Sequence, residues 1–201
     1  MDKENDHARE GGANFQSLEK SPAPVSNPWK KPDHRITERA QIVLRHLYIS
    51  PAHNFFGHHG GPAGETPVDE VACLYCLKGQ GIVGDRFFNY KDNYKGQITF
   101  FSSEIFARLC QHTGAKKCPP SAVRRNVLLE GIDINHLIDR EFEIHGVRFV
   151  GTEECRPCHW MDEAVGPGAE DFLKGSGGLR ARILSDGWLR RGRAELLVWN
   201  L

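Results

Sequence analysis

From Gln41 to the C-terminus the apolar residues fall into short alternating runs, each closed by glycine or proline, and only one stretch keeps a helical period over three turns. A chain punctuated this way cannot build long helices. It must pair strands and then close or fold the sheet to protect the edges. Strands are predicted over 41–50, 68–77, 96–101, 124–129, 142–151, 178–184 and 194–198, with the fifth run turning back on itself at His145-Gly146. The helical stretch follows Ser102-Ser103-Glu104, a capping sequence, and places Ile105, Phe106, Leu109 and Cys110 on one face before Gly114 ends it. A second short helix is predicted over 169–173. The expected fold class is therefore mostly β with a few short helices, barrel-like.

The chain has 201 residues and 39% hydrophobic content, enough for one core with an extension. Residues 1–38 read as a disordered N-terminal tail, because their charged, Gly/Ser/Pro-bearing start lacks the apolar surface to offset ordering, and 39–201 read as the domain. The glycine-rich stretch 53–67, which carries His58-His59, reads as a long loop. Lys plus Arg equals Asp plus Glu at 26 each, so there is no global basic field of the kind nucleic-acid binders carry, and any anion site must be local. No apolar run reaches the ~18 residues of a membrane span, and the start Met1-Asp-Lys-Glu lacks the apolar core of a secretory signal. A soluble cytoplasmic protein with no membrane or nucleic-acid partner is expected. The six cysteines are then expected to be reduced.

Four of those cysteines form two C-x-x-C pairs, Cys73/Cys76 and Cys155/Cys158. The second lies in Gly151-Thr-Glu-Glu-Cys155-Arg-Pro-Cys158-His159, where neighbouring cations favour the thiolate that nucleophilic chemistry and soft-metal binding both need. Pro157 restricts the backbone just before Cys158. Buried, inert thiols are the bland alternative. Zinc shared by the two pairs fits poorly, since zinc ribbons space their pairs roughly 15–20 residues apart. Arg124-Arg125-Asn126 is expected to open a strand and aim a guanidinium at phosphate or carboxylate. Arg180 and Arg182, two apart in a strand, share a face and repel unless an anion or acidic neighbours compensate. Gly79-x-Gly81-x-x-Gly84 has the letters of a dinucleotide fingerprint, but no helix follows it, and Asp85-Arg86 reads as an internal ion pair holding a loop.

Gly81-Ile-Val-Gly84-Asp85-Arg86, Gln97-Ile-Thr-Phe-Phe-Ser102-Ser103-Glu104, Arg124-Arg125-Asn126-Val-Leu, Gly151-Thr152-x-x-Cys155-x-Pro157-Cys158 and Gly178-Leu-Arg-Ala-Arg-Ile-Leu together resemble the MOSC family. This is the module named for the C-terminal part of molybdenum cofactor sulfurases, and the order and spacing match from about Leu44 to near the C-terminus. The resemblance implies a β-barrel-like fold that binds the pterin form of the molybdenum cofactor (molybdopterin). Relatives act as small molybdenum oxidoreductases that reduce N-hydroxylated compounds, or as sulfur carriers bearing a cysteine persulfide. It further implies that Cys158 is the catalytic and metal-ligating residue, and that Ser102, Ser103, Arg124 and Asn126 hold the cofactor. Arg125, Arg180 and Arg182 join them from the reading of the residues. With no desulfurase domain read in these residues, the freestanding bacterial kind is the expectation. A separate electron-donor protein, or in the carrier case a sulfur donor, is the expected partner.

Overall fold

The computed structural model describes residues 35–54 and 64–199. The tail expected over 1–38 falls mostly outside them, as does His58-His59 in the expected loop. The first strand already begins at Ile36.

In chain order the elements are β1 (Ile36–Ile49), β2 (Asp69–Glu70), β3 (Cys73–Leu77), β4 (Gly81–Ile82), β5 (Ile98–Ser102), α1 (Ser103–Thr113), β6 (Val127–Glu130), β7 (Glu141–Ile144), β8 (Val147–Glu154), α2 (Trp160–Ala164), α3 (Ala169–Leu173), β9 (Leu179–Ile183), β10 (Gly187–Arg190) and β11 (Gly192–Trp199). Seven strands close into a barrel in the order β1–β11–β7–β8–β9–β5–β6, with β6 returning to β1. Only β5 and β6 pair in parallel; the other joints are antiparallel. β1 makes closure possible because it is 14 residues long: its first part pairs with β11 and its later part with β6. Closure leaves no long open edge on the ring. A small sheet, β10–β3–β4, stands beside it.

Strand alternation sorts the side chains into two layers. On β9, Leu179, Ala181 and Ile183 are buried, while Arg180 and Arg182 are half-buried on the opposite face. Phe100, Phe142 and Phe149 meet in the barrel interior with ring centroids 5.3–5.4 Å apart. The neighbouring Phe101 and Leu128 belong instead to a second cluster with Leu109 of α1, Met161 of α2 and Leu173 of α3. The helices thus cover one outer flank of the barrel. α1 has the predicted ends: the Ser102 hydroxyl accepts from the Ile105 amide, and Gly114 takes the left-handed conformation at φ 66°.

Three sequence expectations shift. The run 68–77 is broken at Val71-Ala72 into β2 and β3. β10 and α2 are additional elements, each too short to leave a period in the sequence. Arg124-Arg125-Asn126 does not open a strand: Arg124 ends the 3-10 turn Pro120–Val123 in the left-handed region, φ 53°, and β6 starts only at Val127. No helix among the described residues is long and apolar enough to cross a membrane.

Because Phe142 is fully buried within the three-ring cluster, Phe142→Ala should lower the unfolding free energy by about 3–5 kcal/mol, read from the urea midpoint at unchanged slope.

Candidate functional site

A cleft of about 350 Å³ opens on the outer face of β5 and β9, within the size range of small-molecule sites. Thr99 and Arg180 are register partners across those strands, and both point into it because their neighbours point into the barrel. Arg86, Phe87 and Tyr94 contribute from the loops between β4 and β5, Arg124 and Arg125 from the turn before β6, and Cys155, Arg156, Cys158, His159 and Trp160 from the β8–α2 connection. His53 lies at the rim with its ring edge-on to Phe87 at 4.9 Å.

Among the described residues, five arginines therefore line one cavity, and no carboxylate does. Two are offset from the side: Arg86 by Asp85 at 3.5 Å and Arg180 by Glu153 at 3.0 Å. In a chain of zero formal charge this is a local concentration of positive potential, and it selects for an anionic ligand. The crowding shows in the titration of its members. Burial and the neighbouring Arg86 pull the Arg124 guanidinium down to about 10. Burial, then Arg86 and Arg124, hold His53 below its ordinary value. Burial alone would lower Arg180, but the Cys155 sulfur, Tyr94 and Glu153 outweigh it and the net shift is upward.

Arg125 builds the site more than it faces a ligand. It is 8% exposed, and the hydrogen bonds it donates end on backbone carbonyls: Nη1 on Val123 at 2.8 Å, Nη2 on Cys155 at 3.1 Å, and Nε and Nη2 on Gly177 at 3.1 and 2.9 Å. The close approach requires glycine, since a Cβ at Gly177 would lie 2.4 Å from the Cys155 carbonyl oxygen and one at Gly178 2.6 Å from that of Phe100, with φ at 104°. The Cys155 amide in turn donates to the Gly178 carbonyl at 2.7 Å. Asn126 is similarly internal. Its carboxamide accepts from the Thr99 amide and hydroxyl at 3.0 and 2.8 Å and donates to the Tyr48 carbonyl and buried Asp85 at 3.3 and 3.2 Å. Asp85 also accepts from the Ser50 and Phe87 amides, so the expected Asp85-Arg86 pair does sit on an anchored loop.

Of the residues singled out in the sequence, Cys158, Arg124, Arg125 and Arg180 are brought together around the cleft. Ser102, Ser103, Asn126 and Arg182 do not line it. Ser102 caps α1 and, with Glu104, borders a different hollow; Arg182 shares the Arg180 face but sits one pleat further along β9. The two thiols differ: Cys155 is 6% exposed with its backbone pinned at both ends, whereas Cys158 is exposed and its carbonyl accepts from the Met161 amide at the entry to α2. Cys76 of the other pair packs in the barrel core, and burial pushes its thiol up to about 12. Arg86 reads in the sequence as half of an ion pair within one family motif and not as lining a cavity; Phe87, Tyr94, His53 and Trp160 carry no pattern that marks them for it.

Removing Arg125 leaves buried carbonyls without a donor, at about 1–3 kcal/mol each, so Arg125→Met should cost about 3 kcal/mol or more in chemical denaturation, with Arg125→Lys recovering only part. His53 carries a pH signature. The unfolded chain takes up its proton near 6.5 and the folded chain only below that, so stability is lost as pH falls through the interval. His53→Gln should therefore show a smaller drop in Tm than the parent between about pH 7 and about pH 5.5.

The MOSC domain family model matches residues 57–194, more than half of the chain. No curated protein gives a significant match. Among solved structures, the YuaD protein from Bacillus subtilis is similar with a TM-score of 0.65 at 16% identity, over 82% of this chain and 99% of that one. YiiM from Geobacillus stearothermophilus aligns with a TM-score of 0.55 at 14% identity over 78% and 74% of the two chains. YiiM from Escherichia coli gives 0.55 at 12% over 82% and 71%. At these identities the likeness shows the fold, and the barrel, the motif order and the family match lead to one statement: the chain belongs to the MOSC domain family.

Proposed function

We propose that the arginine-lined cleft seats the pterin form of the molybdenum cofactor and that the protein is a small molybdenum oxidoreductase acting on N-hydroxylated compounds. The observation that carries this reading is the meeting of two cysteine thiols and five guanidinium groups in one cavity of about 350 Å³. The donor set fits the group: a soft sulfur for the metal, planar cations for the anionic end, and Phe87, Tyr94 and Trp160 as aromatic walls for a flat ring system. When bound, the cofactor would supply the two-electron chemistry that removes oxygen from the substrate.

The chain's own residues bind and orient. Cys158 offers its exposed sulfur as the metal ligand. Arg124, Arg156 and Arg180 line the wall that meets the phosphate, and Arg125 holds the Cys155 and Gly177 backbones so that the wall keeps its shape. The imidazole of His53, held toward its neutral form, adds no charge to the cleft at rest and can accept a proton there. A separate protein supplies electrons in this scheme. The second reading is a sulfur carrier in which Cys158 bears a persulfide and no turnover occurs; the exposure of Cys158 beside a second thiol favours keeping it.

Metal analysis separates the two. Protein expressed with molybdate should contain molybdenum and pterin and should reduce an N-hydroxylated base with a chemical reductant. Cys158→Ser should lose most of the metal, and Cys155→Ser should lose less. Equal loss in both variants would point instead to a disulfide or a zinc pair.

A further inference from the structure

The second thiol of the cleft has no role in that scheme. Cys155 lies three residues from Cys158, lines the same cavity, and is 6% exposed where Cys158 is exposed. A bulky sulfur donor can therefore reach Cys158 and not Cys155. Cys155 is not loosely placed either: its amide is tied to Gly178, its carbonyl to Arg125, and its sulfur lies against Arg180. A buried thiol fixed beside an accessible one, three residues apart, is the arrangement in which one sulfur resolves what the other accepts.

We propose that Cys155 is the resolving thiol of Cys158, discharging a sulfane sulfur taken up there as sulfide and leaving a Cys155–Cys158 disulfide. The proposal rests on Cys158 being the functional sulfur, as both readings above hold. In the first step a low-molecular-weight persulfide R–S–SH gives its outer sulfur to the Cys158 thiol, forming Cys158–S–SH and R–SH. The Cys155 sulfur then attacks the Cys158 Sγ: the Cys155–Cys158 bond forms, the bond from Sγ to the outer sulfur breaks, and that sulfur leaves with the electron pair as hydrosulfide and takes up the proton that Cys155 gives up, as hydrogen sulfide. Two cysteine sulfurs are oxidised and one sulfane sulfur is reduced to sulfide. An external dithiol reductant resets the pair. The leaving group is an anion released among five guanidinium groups, which is where charge developing on that sulfur is best stabilised. Proximity does the rest, because the attack is intramolecular.

The test treats the full chain with glutathione persulfide, desalts it, and follows sulfide release, intact mass and peptide maps. The parent should release sulfide and acquire a disulfide mapped to Cys155 and Cys158. Cys155→Ser and Cys155→Ala should both retain the extra sulfur on Cys158 and release sulfide about tenfold or more slowly. The alanine variant guards against a fold that does not tolerate a buried hydroxyl. Cys158→Ser should take up no sulfur in the cleft. If Cys158 loads but the Cys155 variants discharge as fast as the parent, or the disulfide joins other cysteines, the resolving role is wrong while the reading of Cys158 stands. If Cys158 does not load in any variant, the resolving role and the sulfur-carrier reading fail together, while metal ligation by Cys158 is decided by the metal analysis.

Discussion

The buried guanidinium of Arg125 is the tie on which the site depends. It reaches carbonyls 30 and 52 residues away in sequence, at Cys155 and Gly177, and one in its own turn at Val123. Those segments are the end of β8, the lead into β9 and the lead into β6, and nothing in the barrel's strand pairing alone would fix the loops between them. Burying a cation costs several kcal/mol, and four hydrogen bonds to carbonyl dipoles are what make it tolerable. A side chain with fewer donors or a less planar head could not hold three carbonyls at once. The Cys155 sulfur is where it is because its backbone is held between Arg125 and Gly178.

A second buried node works from the opposite wall. Asn126 bonds Thr99 on β5 and the Tyr48 carbonyl on β1, and passes through Asp85 to the Arg86 loop. Adjacent residues thus serve adjacent walls: Arg125 braces the cysteine loop, Asn126 braces the Arg86 loop, and Arg124, thrown outward by its left-handed backbone, faces the cavity. Such positive φ in a non-glycine residue carries strain of about 1–3 kcal/mol and persists where the surroundings over-determine it, as they do here from both sides.

The barrel was legible because its signal is local. Leu179, Ala181 and Ile183 alternate with Arg180 and Arg182 over one strand, and the Ser102 and Gly114 ends of α1 rest on the chemistry of single residues. Four of the residues that the motifs singled out, Cys158, Arg124, Arg125 and Arg180, do meet at one cavity. What was not legible was the division of labour. Residue type alone marks Arg125 and Asn126 as polar groups fit for a ligand; only the fold shows that their bonds run to backbone carbonyls, to Thr99 and to Asp85. The aromatic wall of Phe87 and Tyr94, with rings 5.1 Å apart, comes from a turn-rich loop without period, so no pattern in the chain announces it.

Zero net charge with a cationic cleft has a consequence for how a ligand finds the protein. The long-range field is weak, and at about 0.1 M salt interactions between exposed charges are screened beyond roughly 10 Å. Attraction therefore begins only near the mouth of the cavity, and discrimination falls to what lies inside: cations of which most are partly or fully buried, aromatic faces, and sulfur. Inside, screening is weaker and each guanidinium acts at a lower effective dielectric. A small anion such as phosphate can satisfy the arginines but leaves the aromatic walls and both thiols without a partner, whereas a ligand that joins an anionic end to a flat ring and a sulfur-seeking centre satisfies all three. The cleft's composition thus favours an extended ligand over a simple ion, because the groups that are hardest to satisfy separately are placed side by side.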